Sequence, residues 1–207
     1  MPGRFIVLEG PDGSGTTLHS RLLAARLREA GLDVLETAEP SLGPIGRQIR
    51  GILKGHEKIS NDALQLLFCA DRAQHLADVI EPALREGKTV ICDRYALSTI
   101  VYGAASGLDR EWLKQVNAAF REPDLMILTL PPIDVCMERL HRRAELDALE
   151  ESELLQRRVY EEYAATRDPN MVLVDTSGDK DLVAEFLWNQ LRTHMPEISV
   201  KEQLTSE

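Results

Sequence analysis

Short apolar runs recur along the chain, and longer segments in which apolar residues repeat every three or four positions separate them. Runs rich in β-branched residues and bounded by polar residues or glycine predict buried parallel strands. Five such runs occupy residues 5–8, 34–35, 89–92, 124–130 and 171–174. Because these strands alternate with helical patterns, we expect an α/β fold with a parallel five-stranded sheet flanked by helices and joined by right-handed crossovers.

The helical periodicity is clearest in three segments. Residues 17–30 carry leucines at helical spacing before Gly31, and the pattern predicts a second helix over residues 46–53 and a long one over residues 61–86. A kink is expected before Pro82, since proline cannot donate a backbone hydrogen bond. With no repeats or linker-like stretches, we predict a single domain over residues 1–194 and a flexible tail over residues 195–207.

Composition limits the function classes. Lys plus Arg number 24 against 34 Asp plus Glu, a formal charge of −10 that argues against non-specific binding to nucleic acid or anionic membranes. No uninterrupted apolar run reaches the ~18 residues of a membrane span, and no secretory pattern precedes the first strand. The three cysteines lie far apart in apolar segments and are expected to be reduced core residues. These observations favour a cytoplasmic location.

A glycine-rich loop carries the first chemical signal. It follows the first predicted strand, opens the first predicted helix and consists of Gly10, Pro11, Asp12, Gly13, Ser14, Gly15, Thr16 and Thr17. In this context the pattern predicts a phosphate loop, whose backbone N–H groups and helix N-terminus hold nucleotide phosphates. The hydroxyl of Thr17 would bind Mg²⁺. The alternative is a glycine-rich turn that binds no ligand.

Thr16 departs from the phosphate-loop pattern, which has lysine at that position. The lysine normally contacts the β- and γ-phosphates, so its absence removes a positive charge where negative charge gathers during transfer. A contact of that kind is worth on the order of 3 kcal/mol, or ~10²-fold in rate. We therefore expect another cation to compensate.

Asp93 and Arg94 follow the apolar strand at 89–92, at a strand end where ligands bind in open α/β sheets. Asp93 could hold Mg²⁺, and Arg94 could clamp a phosphate with two N–H groups. An ordinary ion pair at a strand end is the alternative. Phe68 and Arg72 lie four residues apart on one helical face, where an aromatic ring and a guanidinium would suit a nucleobase. Phe68 could equally be a core residue.

Three arginines, Arg139, Arg142 and Arg143, lead into a polar segment with several acidic residues. Such a run usually marks a solvated helix. In a phosphoryl-transfer enzyme it would instead be a helical lid, here about residues 139–152, that brings arginines to the transferring phosphate. These arginines are our candidates to replace the missing lysine.

Several motifs in order make the sequence resemble the thymidylate kinase family over residues 5–191. They are Leu8 to Gly15, Glu39-Pro40 with Ile45-Gly46 and Ile49-Arg50, Leu67 to Arg72 with His75, Asp93 to Tyr95 with Ser98 and Tyr102, Pro123 to Leu125, and Glu138-Arg139 with Arg142-Arg143. The resemblance implies a P-loop NTPase fold with a helical lid. It also implies ATP- and Mg²⁺-dependent phosphorylation of dTMP to dTDP in dTTP biosynthesis, by a homodimer.

The resemblance also implies roles for single residues. Phe68 would stack on thymine, Arg72 would bind its carbonyl edge, and Arg94 would grip the acceptor phosphate. Asp12 would lie near the deoxyribose or the metal, Asp93 would join the Mg²⁺ shell, and Thr17 and the loop amides would hold the donor phosphates. The expected substrate-binding set is Glu39, Arg50, Phe68, Arg72, Arg94, Ser98 and Tyr102. Gly13 together with the basic 139–143 segment resembles members whose catalytic arginine lies in the lid.

The sequence departs from the family pattern at three places, and the identity of the acceptor nucleotide is therefore open. Besides Thr16, the chain has Ala38 where many members carry a phosphate-binding arginine, and its segment between Tyr102 and Leu108 is short. One alternative is a related kinase with a different acceptor. Another is a nucleotide-binding regulator with little activity, although the presence together of Asp12, Thr17, Asp93 and Arg94 argues against it.

Overall fold

A computed structural model describes residues 3–142 and 149–196 of the chain. Its sheet has five parallel strands, which are β1 Arg4–Glu9, β2 Val34–Ala38, β3 Thr89–Asp93, β4 Leu125–Thr129 and β5 Met171–Val174. They lie in the order β2-β3-β1-β4-β5, so β1 is central and pairs with β3 and β4. The five strands expected from the apolar runs are thereby confirmed.

Helices connect the strands on both faces of the sheet. In chain order they are α1 Thr16–Glu29, α2 Pro44–Leu53, α3 Asn61–His75, α4 Glu81–Arg85, α5 Ala96–Ala105, α6 Arg110–Asn117, α7 Ile133–His141, α8 Leu149–Ala165 and α9 Lys180–His194. A π-helical turn, Leu76–Ile80, joins α3 to α4. The segment predicted as one long helix is therefore continuous, and its hydrogen bonding changes just before Pro82, which has no N–H to donate.

The core has two main layers because alternate residues of β1 point to opposite faces of the sheet. Ile6 and Leu8 pack with Leu27 of α1 and Trp188 of α9. Phe5 and Val7 face the other way, toward the long helix that ends in α4. Full burial of each large apolar side chain contributes ~1.5–3 kcal/mol, so these layers fix the position of the strand ends.

The structure tests the expectations that the cysteines are core residues and that the chain has no membrane-spanning segment. Cys69, Cys92 and Cys136 are all buried and form no disulfide bond, as expected of core residues. Within the described residues, no helix is both long and apolar enough to cross a membrane.

Candidate active site

The phosphate loop wraps tightly over the carboxyl end of β1. Gly13 and Gly15 have φ angles of 82° and 92°, in the left-handed region that favours glycine. A Cβ atom on Gly10 would lie 2.5 Å from the carbonyl oxygen of Thr129. The loop can follow this path only with glycine at these positions, which accounts for the motif that the sequence shows.

Side-chain hydroxyls hold the loop from below. Ser14 Oγ and Thr129 Oγ1 are 2.8 Å apart, and the hydroxyl of Thr176 donates to the carbonyl of Ser14 at 2.6 Å. Helix α1 begins at Thr16, whose side chain is buried. The loop is thus shaped to present backbone N–H groups, but the residue at the lysine position brings no charge.

Thr17 and Asp93 form the metal-competent edge of the loop. The hydroxyl of Thr17 donates to Asp93 Oδ2 at 2.5 Å. The other carboxylate oxygen, Oδ1, is buried and has no hydrogen-bond partner in the part of the chain that the structure describes. A hydroxyl beside an unsatisfied carboxylate oxygen is the oxygen-donor chemistry that Mg²⁺ prefers, so these two residues fit the ion.

Arg139, from the predicted lid, lies behind the phosphate loop. Its guanidinium donates to the carbonyl of Gly13 at 3.1 Å and to that of Thr176 at 2.8 Å. Burial, together with the charge of Arg139, lowers the pKa of His19 beneath Gly15. Arg139 therefore braces the loop backbone against the end of β5, an arrangement that the sequence pattern does not reveal.

Of the other two predicted lid arginines, the structure describes Arg142, which is not brought to the loop. Arg142 is exposed and donates to Glu138 at 2.5 Å on its own helix. Arg143 and much of the 139–152 segment lie outside the described residues, so the lid stays a prediction.

Arg94 faces the loop from the carboxyl end of β3. Its backbone φ angle is 68°, in the left-handed region that residues other than glycine rarely adopt. Backbone strain of this kind is typical of functional sites. The guanidinium donates to Asp12 Oδ1 at 2.5 Å and lies 3.4 Å from both Ser98 Oγ and Tyr102 Oη. Four residues predicted from sequence therefore meet in one cluster, beside the phosphate loop.

A buried carboxylate supports this cluster from beneath. Glu9 is fully buried and accepts hydrogen bonds from the backbone N–H of Tyr95 at 2.8 Å and from the hydroxyl of Ser98 at 2.6 Å. Tyr163 Oη donates to it at 3.1 Å. Burial raises the pKa of Glu9, and the Ser98 hydrogen bond and nearby Arg94 oppose that shift. Sequence reasoning gave Glu9 no role, although a charged residue at the end of an apolar strand was a usable signal.

Arg72 is the centre of a second buried network. Its Nε donates to Glu39 Oε2 at 2.9 Å and its Nη2 to Thr99 Oγ1 at 2.9 Å, while Nη1 donates to Asn117 Oδ1. Both members of the Arg72–Glu39 ion pair are almost completely buried. Phe68, one turn earlier on α3, is half-buried. The predicted Arg72 and Glu39 are thus together, and Thr99 and Asn117 are partners that the sequence did not single out.

The loop after β2 is held by two further residues. Asp71 accepts from the N–H and the hydroxyl of Ser41, both at 2.6 Å. Arg50 donates to the carbonyls of Pro40 and Ser41. Arg50, predicted as substrate-binding, therefore fixes the backbone next to Glu39.

Gln156 links α8 to the phosphate loop. Its Nε2 donates to Asp12 Oδ2 at 3.0 Å, so Asp12 is held by both Gln156 and Arg94. The Oε1 atom of Gln156 is buried and has no hydrogen-bond partner among the described residues. No motif pointed to Gln156, since a single glutamine in a polar helix carries no signal by itself.

Taken together, these groups can bind two phosphate-bearing ligands. The loop amides with Thr17 and Asp93 suit a polyphosphate, and Arg94, which contacts Asp12, suits a second phosphate. Charge neutralisation and positioning are the means by which such a site transfers a phosphoryl group.

Comparison with known proteins agrees with this geometry. The family model for thymidylate kinase matches residues 8–187. A probable thymidylate kinase of Pyrococcus horikoshii is 43% identical over 195 residues, which cover 90% of this chain and 95% of that protein. A thymidylate kinase of Thermomicrobium roseum is 42% identical over 193 residues, covering 89% and 92%. The chain therefore belongs to the thymidylate kinase family.

Proposed function

We propose that this protein transfers the terminal phosphoryl group of ATP to dTMP, in the presence of Mg²⁺, to give dTDP for dTTP biosynthesis. The observation that carries the proposal is the cluster that Arg94, Ser98 and Tyr102 form with Asp12 of the phosphate loop. Family membership supports the same acceptor, since the relatives are named for thymidylate.

On the acceptor side, Arg94 would bind the phosphate of dTMP with two N–H groups, which gives both charge and orientation. Asp12, held by Gln156, is then placed to accept from a sugar hydroxyl. Phe68 would stack on the base and Arg72 would bind its edge. Because Arg72 already donates to Glu39, Thr99 and Asn117, its orientation is fixed before the base arrives.

On the donor side, the loop amides and the N-terminus of α1 would hold the β- and γ-phosphates of ATP. Thr17 and Asp93 would hold Mg²⁺, which when bound neutralises charge on those phosphates. An oxygen of the dTMP phosphate forms the new bond to the γ-phosphorus. The bond from that phosphorus to the bridging oxygen breaks, and ADP leaves. Since the acceptor oxygen is already anionic, the step needs no general base.

A panel of nucleoside monophosphates tests the proposal. The purified protein is incubated with Mg-ATP and dTMP, dUMP, dCMP, dGMP or AMP, and the diphosphate products are separated and quantified. We expect dTMP to have the highest kcat/KM, ahead of dUMP, which lacks only the 5-methyl group. Efficient phosphorylation of another monophosphate with little dTDP would instead indicate a related kinase with a different acceptor. ATP binding with no turnover would indicate a regulator.

Two further features belong to the same proposal. We expect a homodimer, which light scattering coupled to size-exclusion chromatography would measure as a mass near twice the 23.2 kDa chain. A cytoplasmic location is also expected, and fractionation of the source cells with an antibody to the protein would test it.

A further inference from the structure

A small cavity lies beside the phosphate loop, between α1 and the carboxyl ends of β2 and β3. Its volume is about 240 Å³, and both Thr17 and Asp93 line it. Arg21 of α1 and Ala38 of β2 line it as well. The edge of the loop that is competent to bind metal thus opens into a space that also contains an arginine.

Two of the charged residues that line the cavity with Arg21 are already engaged elsewhere. Glu36, which also lines the cavity, is paired with Arg28 at 2.5 Å. Arg50 donates to the carbonyls of Pro40 and Ser41. By contrast, Arg21 makes no hydrogen bond or ion pair within residues 3–142 and 149–196. The carboxylate of Asp93 lines the same cavity but accepts its hydrogen bond from Thr17, so among the described residues the guanidinium of Arg21 is not held by an ion pair.

The helix geometry directs Arg21 toward the loop. It follows Thr17 by four residues on α1, so the two share a face and are separated by about one turn, ~5.4 Å along the axis. Side chains of a helix lean toward its N-terminus, and an arginine side chain is longer than one turn. The guanidinium can therefore reach the level of Thr17, where phosphate oxygens would lie.

The positive charge of Arg21 could compensate for the lysine that the phosphate loop lacks. Thr16 stands where the phosphate-loop motif has lysine, and its buried side chain carries no charge. Arg139 is occupied with the carbonyls of Gly13 and Thr176, and Arg142 with Glu138. Among these three arginines, only Arg21 has its guanidinium available and lines a cavity that also contains Thr17.

We propose that Arg21 is a phosphate-binding residue, which reaches through this cavity to the donor phosphates and supplies the charge that Thr16 cannot. The inference rests on the proposed function for its kinetic part, because transfer to an acceptor is assumed there. Its binding part stands alone, since affinity for ATP needs no acceptor.

The test compares Arg21→Met with Arg85→Met. Methionine keeps the apolar stem and removes the guanidinium, and Arg85 is an exposed arginine of α4 with no hydrogen bond or ion pair in the described residues. We expect Arg21→Met to lower kcat by ~10²-fold and the affinity for Mg-free ATP by ~10-fold, with Arg85→Met unchanged. Steady-state kinetics measure the first effect, and isothermal titration calorimetry measures the second. Urea unfolding should give both variants the wild-type midpoint.

Rescue separates a phosphate contact from a structural role. Adding Thr16→Lys to Arg21→Met should restore both kcat and ATP affinity to within ~3-fold of wild type, because the lysine returns a charge to the phosphates. If Arg21→Met matches Arg85→Met in ATP affinity, or if Thr16→Lys restores neither quantity, the inference is overturned. If wild type binds ATP but phosphorylates no dTMP, the proposed function fails, and the affinity measurements still decide the role of Arg21.

Discussion

The acceptor side and the donor side of this site are organised in opposite ways. On the acceptor side, charged side chains bind one another: Arg72 pairs with Glu39 in a buried network, and Arg94 pairs with Asp12 in a part-exposed contact. Around the phosphate loop, side chains bind backbone instead: Thr176 holds Ser14, and Arg139 holds Gly13. On the acceptor side, the charged side chains are therefore already held in position by one another. On the donor side, the backbone is held in position and few side chains carry a charge.

The difference shows what each side must recognise. A nucleoside monophosphate offers one phosphate, a sugar and a base, and selection among bases requires polar groups that are fixed in advance. A nucleoside triphosphate offers a chain of phosphates, which backbone N–H groups and a metal can bind without side-chain charges. On the donor side, Thr16 can therefore stand in the loop if one other cation, which we propose is Arg21, supplies the missing charge.

Removal of Arg94 should have the largest effect. Arg94→Met is expected to lower kcat/KM for dTMP by ~10³-fold or more, because it removes the guanidinium that faces the acceptor phosphate. Steady-state kinetics at varied dTMP will measure it. Arg121→Met, which loses only an exposed ion pair with Glu81, is the matched control and should stay within ~2-fold of wild type. Equal activity of the two variants would contradict the assignment of Arg94.

Removal of Arg72 should cost stability as well as binding. Arg72→Met leaves the buried Glu39 with only His75 as its side-chain partner and is expected to reduce the free energy of unfolding by ~3–5 kcal/mol. Urea unfolding followed by circular dichroism will measure it. Arg157→Met, which breaks a half-exposed pair with Glu153, should cost less than ~1 kcal/mol. A loss below that control value would mean that the buried network is not preformed.

Removal of Arg139 separates bracing from catalysis. If its main role is to hold the carbonyls of Gly13 and Thr176, Arg139→Met should reduce the free energy of unfolding by ~1–3 kcal/mol and raise the KM for ATP. The KM for dTMP should not change. A fall in kcat of ~10²-fold with unchanged stability would instead support the hypothesis of a lid arginine that acts on the transferring phosphate.

Replacement of Glu9 gives the smallest effect, and its sign is specific. Since burial raises the pKa of Glu9 on folding, the folded state holds its proton more tightly than the unfolded state. The contribution of Glu9 to stability is then greatest below the ordinary glutamate pKa and declines as pH rises. The free energy of unfolding of wild type minus that of Glu9→Gln should therefore decrease between pH 4.5 and pH 7, as urea unfolding will show. An increase over that range would contradict the pKa direction.

The sequence predicts most of the fold for a simple physical reason. The three inner strands, β1, β3 and β4, are buried on both faces, so each appears as a continuous apolar run between glycine or polar residues. The edge strands β2 and β5 are partly exposed, and β2 accordingly shows only a two-residue apolar run. The phosphate loop was equally visible, because close approaches at Gly10 and positive φ angles at Gly13 and Gly15 require glycine. Local constraints of this kind leave a local record in the sequence.

The partners of the site residues left no such record. Glu9, Asn117 and Gln156 reach Ser98, Arg72 and Asp12 across long separations in sequence, and the contacts exist only once the sheet and helices have assembled. Arg139 shows the same limit, since its spacing suggested a lid and its guanidinium lies against the loop backbone. The pairing of these side chains depends on the tertiary structure, so no local pattern in the sequence predicts it.

Binding of dTMP in the absence of a donor tests most directly whether the acceptor side is preformed. Isothermal titration calorimetry would compare dTMP binding to the protein alone and to the protein with a non-hydrolysable ATP analogue and Mg²⁺. If Arg94 and Arg72 are fixed in advance, the two Kd values should agree within ~3-fold, since little ordering remains for the donor to induce. Binding of dTMP that appears only when the donor site is filled would contradict this account.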